Sequence, residues 1–165
     1  MIEELCTVFK NQVAVIKCGP NCAETGIVKG VRQGCALSPV IFNVYIEKAI
    51  NEIKEKALGV KIHGERISML RFADDIAVIA ETENDLKKTL TNMERTMARY
   101  QLKINKKKTK ILVCSKREEA RTNIKLGKQK LEEVKEFCYL GSRITNDGRS
   151  KKEIVSRIAQ AKRAF

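Results

Sequence analysis

Residues 66–80 read RISMLRFADDIAVIA. Two apolar runs, Ile67–Phe72 and Ile76–Ala80, flank one acidic break, Asp74-Asp75. β-branched and apolar runs of this length read as strands, and the short break between them predicts a hairpin. Adjacent carboxylates at the edge of a core repel each other and lose solvation, a cost that a bound cation offsets. Carboxylate oxygens are hard ligands and suit Mg²⁺ or Mn²⁺. Asp is also a plain turn former, and for a bare Asp-Asp pair the acidic turn is the commoner reading.

Upstream, Val60–Ile62 and Arg66–Phe72 form an expected hairpin about His63-Gly64. Ser38-Pro39 is a helix start, because Ser caps and Pro suits the first turn. The helix is expected over Val40–Ala57, with Phe42, Ile46, Ala49, Ile50 and Ile53 at helical spacing. Before it, Gln12–Lys17 and Gly26–Lys29 read as strands around a Gly-Pro-Asn turn. Downstream, Thr82-Glu83-Asn84-Asp85 has the capping-box pattern. It opens a helix whose Leu86, Leu90, Met93, Met97 and Tyr100 make one amphipathic face. Leu102–Ile104, Lys110–Cys114, Ile124–Leu126 and Val134–Leu140 continue as strands, and Asn146-Asp147-Gly148 is a turn. Ser150 and Glu153 form a second capping box before a last helix with Ile154, Ile158, Ala161 and Phe165 on one side. The sum is an α+β domain, with helices packed on one face of a mainly antiparallel sheet.

The chain of 165 residues is 43% hydrophobic, enough to bury a core and exclude global disorder. No stretch approaches the roughly 18 apolar residues of a membrane span. Met1-Ile2-Glu3-Glu4 is acidic at once and shows no secretory signal, so an intracellular chain is expected, nuclear or cytoplasmic. Its six cysteines are then expected to be reduced thiols. Cys18 and Cys22 are spaced for a soft metal, but a closed zinc site needs about four ligands and small loop thiols are the better reading. Residues 1–100 hold 14 basic and 13 acidic side chains; residues 101–165 hold 19 and 7. A net charge of +13 concentrated in one segment suits a polyanion, of which nucleic acid is the commonest.

A second constellation changes the weight given to the aspartates. Residues 30–43 read GVRQGCALSPVIFN. Glycines let the backbone approach a ligand closely, Arg32 can meet a phosphate, and Gln33 can hydrogen-bond a sugar or base edge. This loop, followed by the Asp-Asp turn, resembles the reverse transcriptases of non-LTR (LINE-type) retrotransposons. Gly30–Asn43 resembles that family's motif B, and Arg71–Asp75 its motif C. Leu102–Thr109, reading LKINKKKT, resembles motif D through Asn105 and Lys108. Phe137–Ser142, reading FCYLGS, resembles motif E, and Arg143–Phe165 the run into the thumb.

The resemblance implies an antiparallel palm with helices on one face, partial over residues 1–145, and the start of a thumb helix over 146–165. It implies RNA-directed DNA synthesis by two-metal nucleotidyl transfer, with two Mg²⁺ or Mn²⁺ ions, an RNA template, a DNA primer and dNTP. Asp74 and Asp75 would be catalytic metal ligands. Arg32, Gln33, Gly34, Phe72 and Ala73 would lie near nucleotide or template. Lys108 would assist the leaving phosphate, although a solvated lysine beside Lys106 and Lys107 is an equal reading.

The family's third carboxylate comes from motif A, upstream of motif B. Here the first Asp is Asp74, and the first 30 residues offer only Glu3, Glu4 and Glu24, none in a suitable strand pattern. The expectation is therefore a piece covering motifs B to E, inactive by itself. Two other readings are a catalytically silent nucleic-acid-binding remnant and an interaction scaffold. In both the partial and the scaffold readings an open sheet edge would pair with the missing palm and fingers segment or with a second copy.

Overall fold

The computed structural model describes residues 12–115 and 122–164. Glu3, Glu4, Cys6 and Phe165 lie outside the described residues. Contacts divide the chain into two units between Lys48 and Ala49. Helix α1 (Ser38–Lys56) runs through that division.

The first unit opens with β1 (Gln12–Cys18) and β2 (Asn21–Ile27), antiparallel in register from Gln12↔Ile27 to Cys18↔Asn21. Gly19, at φ 61°, takes the left-handed position of the turn. The second strand starts at Asn21 rather than at Gly26. Every residue of β2 is exposed, so no buried face wrote an apolar alternation into the sequence.

The second unit holds a hairpin of β3 (Val60–Ile62) and β4 (Glu65–Ile67), turned by His63 at φ 50° and Gly64 at φ 88°. Left-handed dihedrals at both central residues suit the twist of a two-residue hairpin. Next come β5 (Met69–Phe72) and β6 (Asp75–Val78), then α2 (Glu83–Arg99). The expected strand Arg66–Phe72 is thus split at Ser68. Gly59 lies against this break: at φ 59° its backbone is so close that an added Cβ would sit 2.6 Å from the Ile67 carbonyl oxygen.

After α2, β7 (Lys110–Leu112) pairs in parallel with β10 (Glu132–Val134). Hairpins β8 (Lys125–Leu126) with β9 (Gln129–Lys130), and β11 (Glu136–Tyr139) with β12 (Ser142–Thr145), complete the strands. Helix α3 (Lys151–Ala164) follows. Among the described residues every ladder is two-stranded, and only β7–β10 is parallel. The class is α+β, with the antiparallel pairs carried as separate ladders.

Leu102–Ile104 is not a strand. Helix α2 ends with Gln101 at φ 56°, and the Leu102 N–H reaches back to the Met97 carbonyl at 2.8 Å while Gln101 N–H reaches Ala98 at 3.0 Å. This paired closure takes the Leu102 N–H, the first donor that the strand would need.

The core of the second unit joins α1 and α2 to short strands. Ala49, Ile50 and Ile53 are fully buried, Leu90, Met93 and Met97 nearly so, and Met69, Ile111, Ile124, Leu126 and Leu131 join them. Arg99 and Tyr100 both reach the Glu52 carboxylate, Tyr100 at 2.6 Å. The Tyr100 hydroxyl, then the Arg99 charge, hold Glu52 below the usual carboxylate range. Helix α3 differs: Ile154, Val155 and Ile158 are each more than half exposed, so its apolar stripe is uncovered among the described residues. Glu153 does not close the expected capping box either. Its carboxylate accepts the Arg143 N–H at 2.7 Å and the Arg157 guanidinium at 2.7 Å.

Candidate active site

The β5–β6 hairpin closes with the pair Phe72↔Asp75, leaving Ala73 and Asp74 as the two turn residues. Ala73 is left-handed at φ 51°, a geometry that costs an L-residue about 1–2 kcal/mol. The Arg71 guanidinium donates to the Ala73 carbonyl at 3.4 Å. Asp74 and Asp75 are both exposed, and Phe72 is 66% exposed. The desolvation anticipated for the carboxylates is therefore absent; what remains is two neighbouring oxygen donors at a tight turn. Among the described residues neither carboxylate is hydrogen-bonded or ion-paired, and no cluster of three metal-ligating side chains forms.

Tyr139 reaches the backbone of this hairpin. Its hydroxyl is 3.2 Å from the Asp75 carbonyl oxygen and 3.4 Å from that of Leu70. One proton is thus shared between acceptors on β6 and β5, with both distances long for an O–H···O bond. Burial first, and the Asp75 charge second, push the phenol above its ordinary pKa. Sequence reasoning placed Tyr139 inside motif E but gave it no role of its own. A contact between residues so distant in the chain leaves no spacing to read.

Asn105 organises the lysine-rich turn. Its carbonyl accepts the N–H of Lys108 and of Thr109, at 3.2 and 3.0 Å, and its side chain caps Lys108 N–H at 3.2 Å. Thr109 adds a hydroxyl bond to the same carbonyl at 2.9 Å. This is an Asx-type turn that an Asn and a following hydroxyl residue form readily. Lys106 is internal to it, bonding Glu94 at 2.6 Å and the Leu126 carbonyl at 2.9 Å. Lys108 is exposed and, among the described residues, has no carboxylate partner.

Arg32, Gln33 and Gly34 belong to the first unit and are all exposed. Gly34, at φ 83°, makes a turn there. The Ser38 hydroxyl donates back to the Arg32 carbonyl at 2.5 Å instead of capping the helix, and the Ser38 N–H meets the Cys35 carbonyl at 3.1 Å. The loop is pinned to the start of α1 by its own backbone. The Leu37 N–H, with help from Ser38 and the Arg32 charge, draws the Cys35 thiol below its ordinary pKa. Cys18 and Cys22 are free thiols. The register sets Cys22 opposite Lys17, one residue from Cys18, so the two cysteines face opposite sides of the ladder.

Two shallow hollows mark the second unit. One is lined by Thr122 and Lys130–Glu133, the other by Glu136, Arg143, Lys151, Lys152, Val155 and Ser156. Neither includes Asp74 or Asp75, whose carboxylates stand on an open surface.

Residues 3–144 match a family model described as reverse transcriptase (RNA-dependent DNA polymerase). The chain is 33% identical over 122 residues to the retrovirus-related Pol polyprotein of the type-1 retrotransposable element R2 of Nasonia vitripennis. That match covers 73% of this chain and 11% of the relative. The corresponding R2 polyprotein of Bradysia coprophila is 28% identical, with 72% and 14% covered. A transposon-derived protein of Caenorhabditis elegans is 32% identical, with 64% and 38% covered. The chain therefore spans about a tenth to two fifths of the length of these relatives.

Proposed function

Because the chain belongs to the reverse transcriptase family, of the non-LTR (LINE-type) kind, we propose that it carries motifs B to E of an RNA-directed DNA polymerase. In this reading residues 1–145 are a partial palm and 146–165 begin the thumb. The reaction is nucleotidyl transfer: a primer 3′-hydroxyl attacks the α-phosphate of a dNTP and pyrophosphate leaves. The observation that carries the reading is the pair of exposed carboxylates, without partners among the described residues, at the β5–β6 turn.

The donor set fits a hard divalent cation, and the family generally uses such ions. Asp74 and Asp75 would hold Mg²⁺ or Mn²⁺ by their oxygens, with further ligands from outside the described residues. When bound, the metal acidifies the attacking hydroxyl and neutralises phosphate charge. Arg32 would meet the phosphates, and Gln33 with Gly34 would approach the nucleotide or template. Lys108 would neutralise the leaving pyrophosphate from the turn that Asn105 holds. Phe72 and Ala73 would flank the reacting end.

The 165 residues contain no Asp before Asp74. A two-metal site lacking one carboxylate loses charge compensation worth several decades of rate, at about 1.4 kcal/mol per decade. The test is primer extension on an RNA template with Mg²⁺, using this chain alone and together with a polypeptide that supplies an Asp-bearing motif A. We expect no extension from the chain alone. The pair should extend the primer, and Asp74→Asn should reduce extension by at least about 100-fold. Extension that survives Asp74→Asn in both settings sinks the proposal.

The basic segment favours a second reading, a nucleic-acid-binding remnant, because residues 101–165 carry 19 basic side chains. RNA binding that weakens linearly with log salt and ignores Asp74→Asn, with no extension in either setting, would select it. Self-association through open strand edges, seen by sedimentation without RNA binding, would select the scaffold.

A further inference from the structure

We propose that the Tyr139 hydroxyl is the positioning group of the Asp74–Asp75 hairpin, bridging its two strands from behind so that both carboxylates face one cation in a fixed register. The proposal rests on the reading of these aspartates as cation ligands. A two-stranded ladder in water is marginal by itself. Ladder β5–β6 pairs only Met69–Phe72 with Asp75–Val78, extended by the Ile79 N–H bond to the Ser68 carbonyl at 2.9 Å. Its turn is left-handed at an alanine, and its two carboxylates repel each other, so it gains from an external brace.

Tyr139 is built to be that brace. It closes β11–β12 opposite Ser142, across a turn whose Leu140 and Gly141 are left-handed at φ 49° and 80°. The turn is held in its own right: Arg157 of α3 donates to the Gly141 carbonyl at 3.1 Å, and the Arg143 N–H is bound by Glu153 at 2.7 Å. The phenol is thus mounted on a hairpin anchored to α3. Its contacts with Leu70 and Asp75 join the first strand of the catalytic hairpin to the carboxylate-bearing second. Tyr139 touches backbone carbonyls and no reacting atom, which makes it a positioning residue.

Two readouts on the full chain test this, by NMR with Mn²⁺ as the probe. Tyr139→Phe removes only the hydroxyl. Net loss of one shared hydrogen bond should speed amide exchange across residues 69–78 roughly 2- to 10-fold. It should raise, by a similar factor, the Mn²⁺ concentration that half-broadens the signals of residues 73–76. Exchange at Leu90, Met93 and Met97 should stay unchanged, showing that the fold is intact. Arg157→Gln, which loosens the mount, should shift both readouts the same way by less.

Unchanged hairpin exchange in Tyr139→Phe overturns the proposal. Faster exchange with unchanged Mn²⁺ broadening also overturns the positioning role and leaves the cation reading standing. If the wild-type chain shows no broadening that Asp74→Asn removes, the cation reading falls and takes the positioning role with it.

Discussion

The hairpin Met69–Val78 and the helix Glu83–Arg99 adjoin in sequence and are built on opposite principles. The helix buries Leu90, Met93 and Met97 on one face and receives a side-chain cap from Thr82. The hairpin buries Met69, while Leu70 is 48% exposed and Phe72 66%. It spends an alanine on a left-handed turn and leaves two carboxylates in the open. Stability is stored in the helix, and the groups suited to chemistry stand on the hairpin. On the proposed reading the hairpin must admit a nucleic-acid end and a cation, which a packed core cannot do.

Truncation separates the two regions most sharply. Met93→Ala deletes a buried side chain and should cost about 2–4 kcal/mol. Phe72→Ala deletes a larger one from an exposed position and should change stability by less than about 0.5 kcal/mol. Urea unfolding followed by circular dichroism measures both. A cost for Phe72→Ala near that of Met93→Ala would mean that the hairpin is covered in solution, and the comparison would fail.

A smaller effect tests whether the regions open independently. The Thr82 hydroxyl oxygen accepts the Asp85 N–H at 3.1 Å, and its proton bonds the Asp85 carboxylate at 2.7 Å. Thr82→Ala should cost about 1 kcal/mol, read as a lower urea midpoint. Amide exchange should quicken in the first turn of α2 and remain unchanged at residues 69–78. Equal acceleration in both would show that they open as one unit.

The same contrast explains what the sequence disclosed. The stripe Leu90, Met93 and Met97 and the cap at Thr82 were legible because a buried helical face imposes its period on the residues. Helix α1, expected over Val40–Ala57, spans Ser38–Lys56 for the same reason. The Asp-Asp turn was legible because apolar strands stop abruptly on both sides of it. Strand β2 was misplaced because an exposed ladder imposes no period, and Leu102–Ile104 because the closure of α2 took its first donor, the Leu102 N–H. Nothing local predicts the parallel pairing of Lys110–Leu112 with Glu132–Val134, nor the reach of Tyr139 to Asp75, since both join distant segments. Glu153 had the spacing of a capping box but was drawn to Arg143 N–H by the tertiary fold. For the site, the sequence supplied the residue types; the brace behind them came from three-dimensional placement.

The smallest effect concerns the turn itself, and two opposing magnitudes fix its sign. At φ 51°, Ala73 pays about 1–2 kcal/mol for its Cβ. Glycine would remove that cost but lose more conformational entropy on folding, about 0.5–1 kcal/mol. The strain outweighs the entropy, so Ala73→Gly should stabilise the hairpin by roughly 0.5–1 kcal/mol. Amide exchange at residues 69–78 should slow by about 2- to 5-fold, while Leu90, Met93 and Met97 keep their rates. Faster exchange would mean that the left-handed turn is not the one populated in solution. The neighbouring carboxylates would then be set by a different backbone, and Tyr139 would have no fixed pair of carbonyls to bridge.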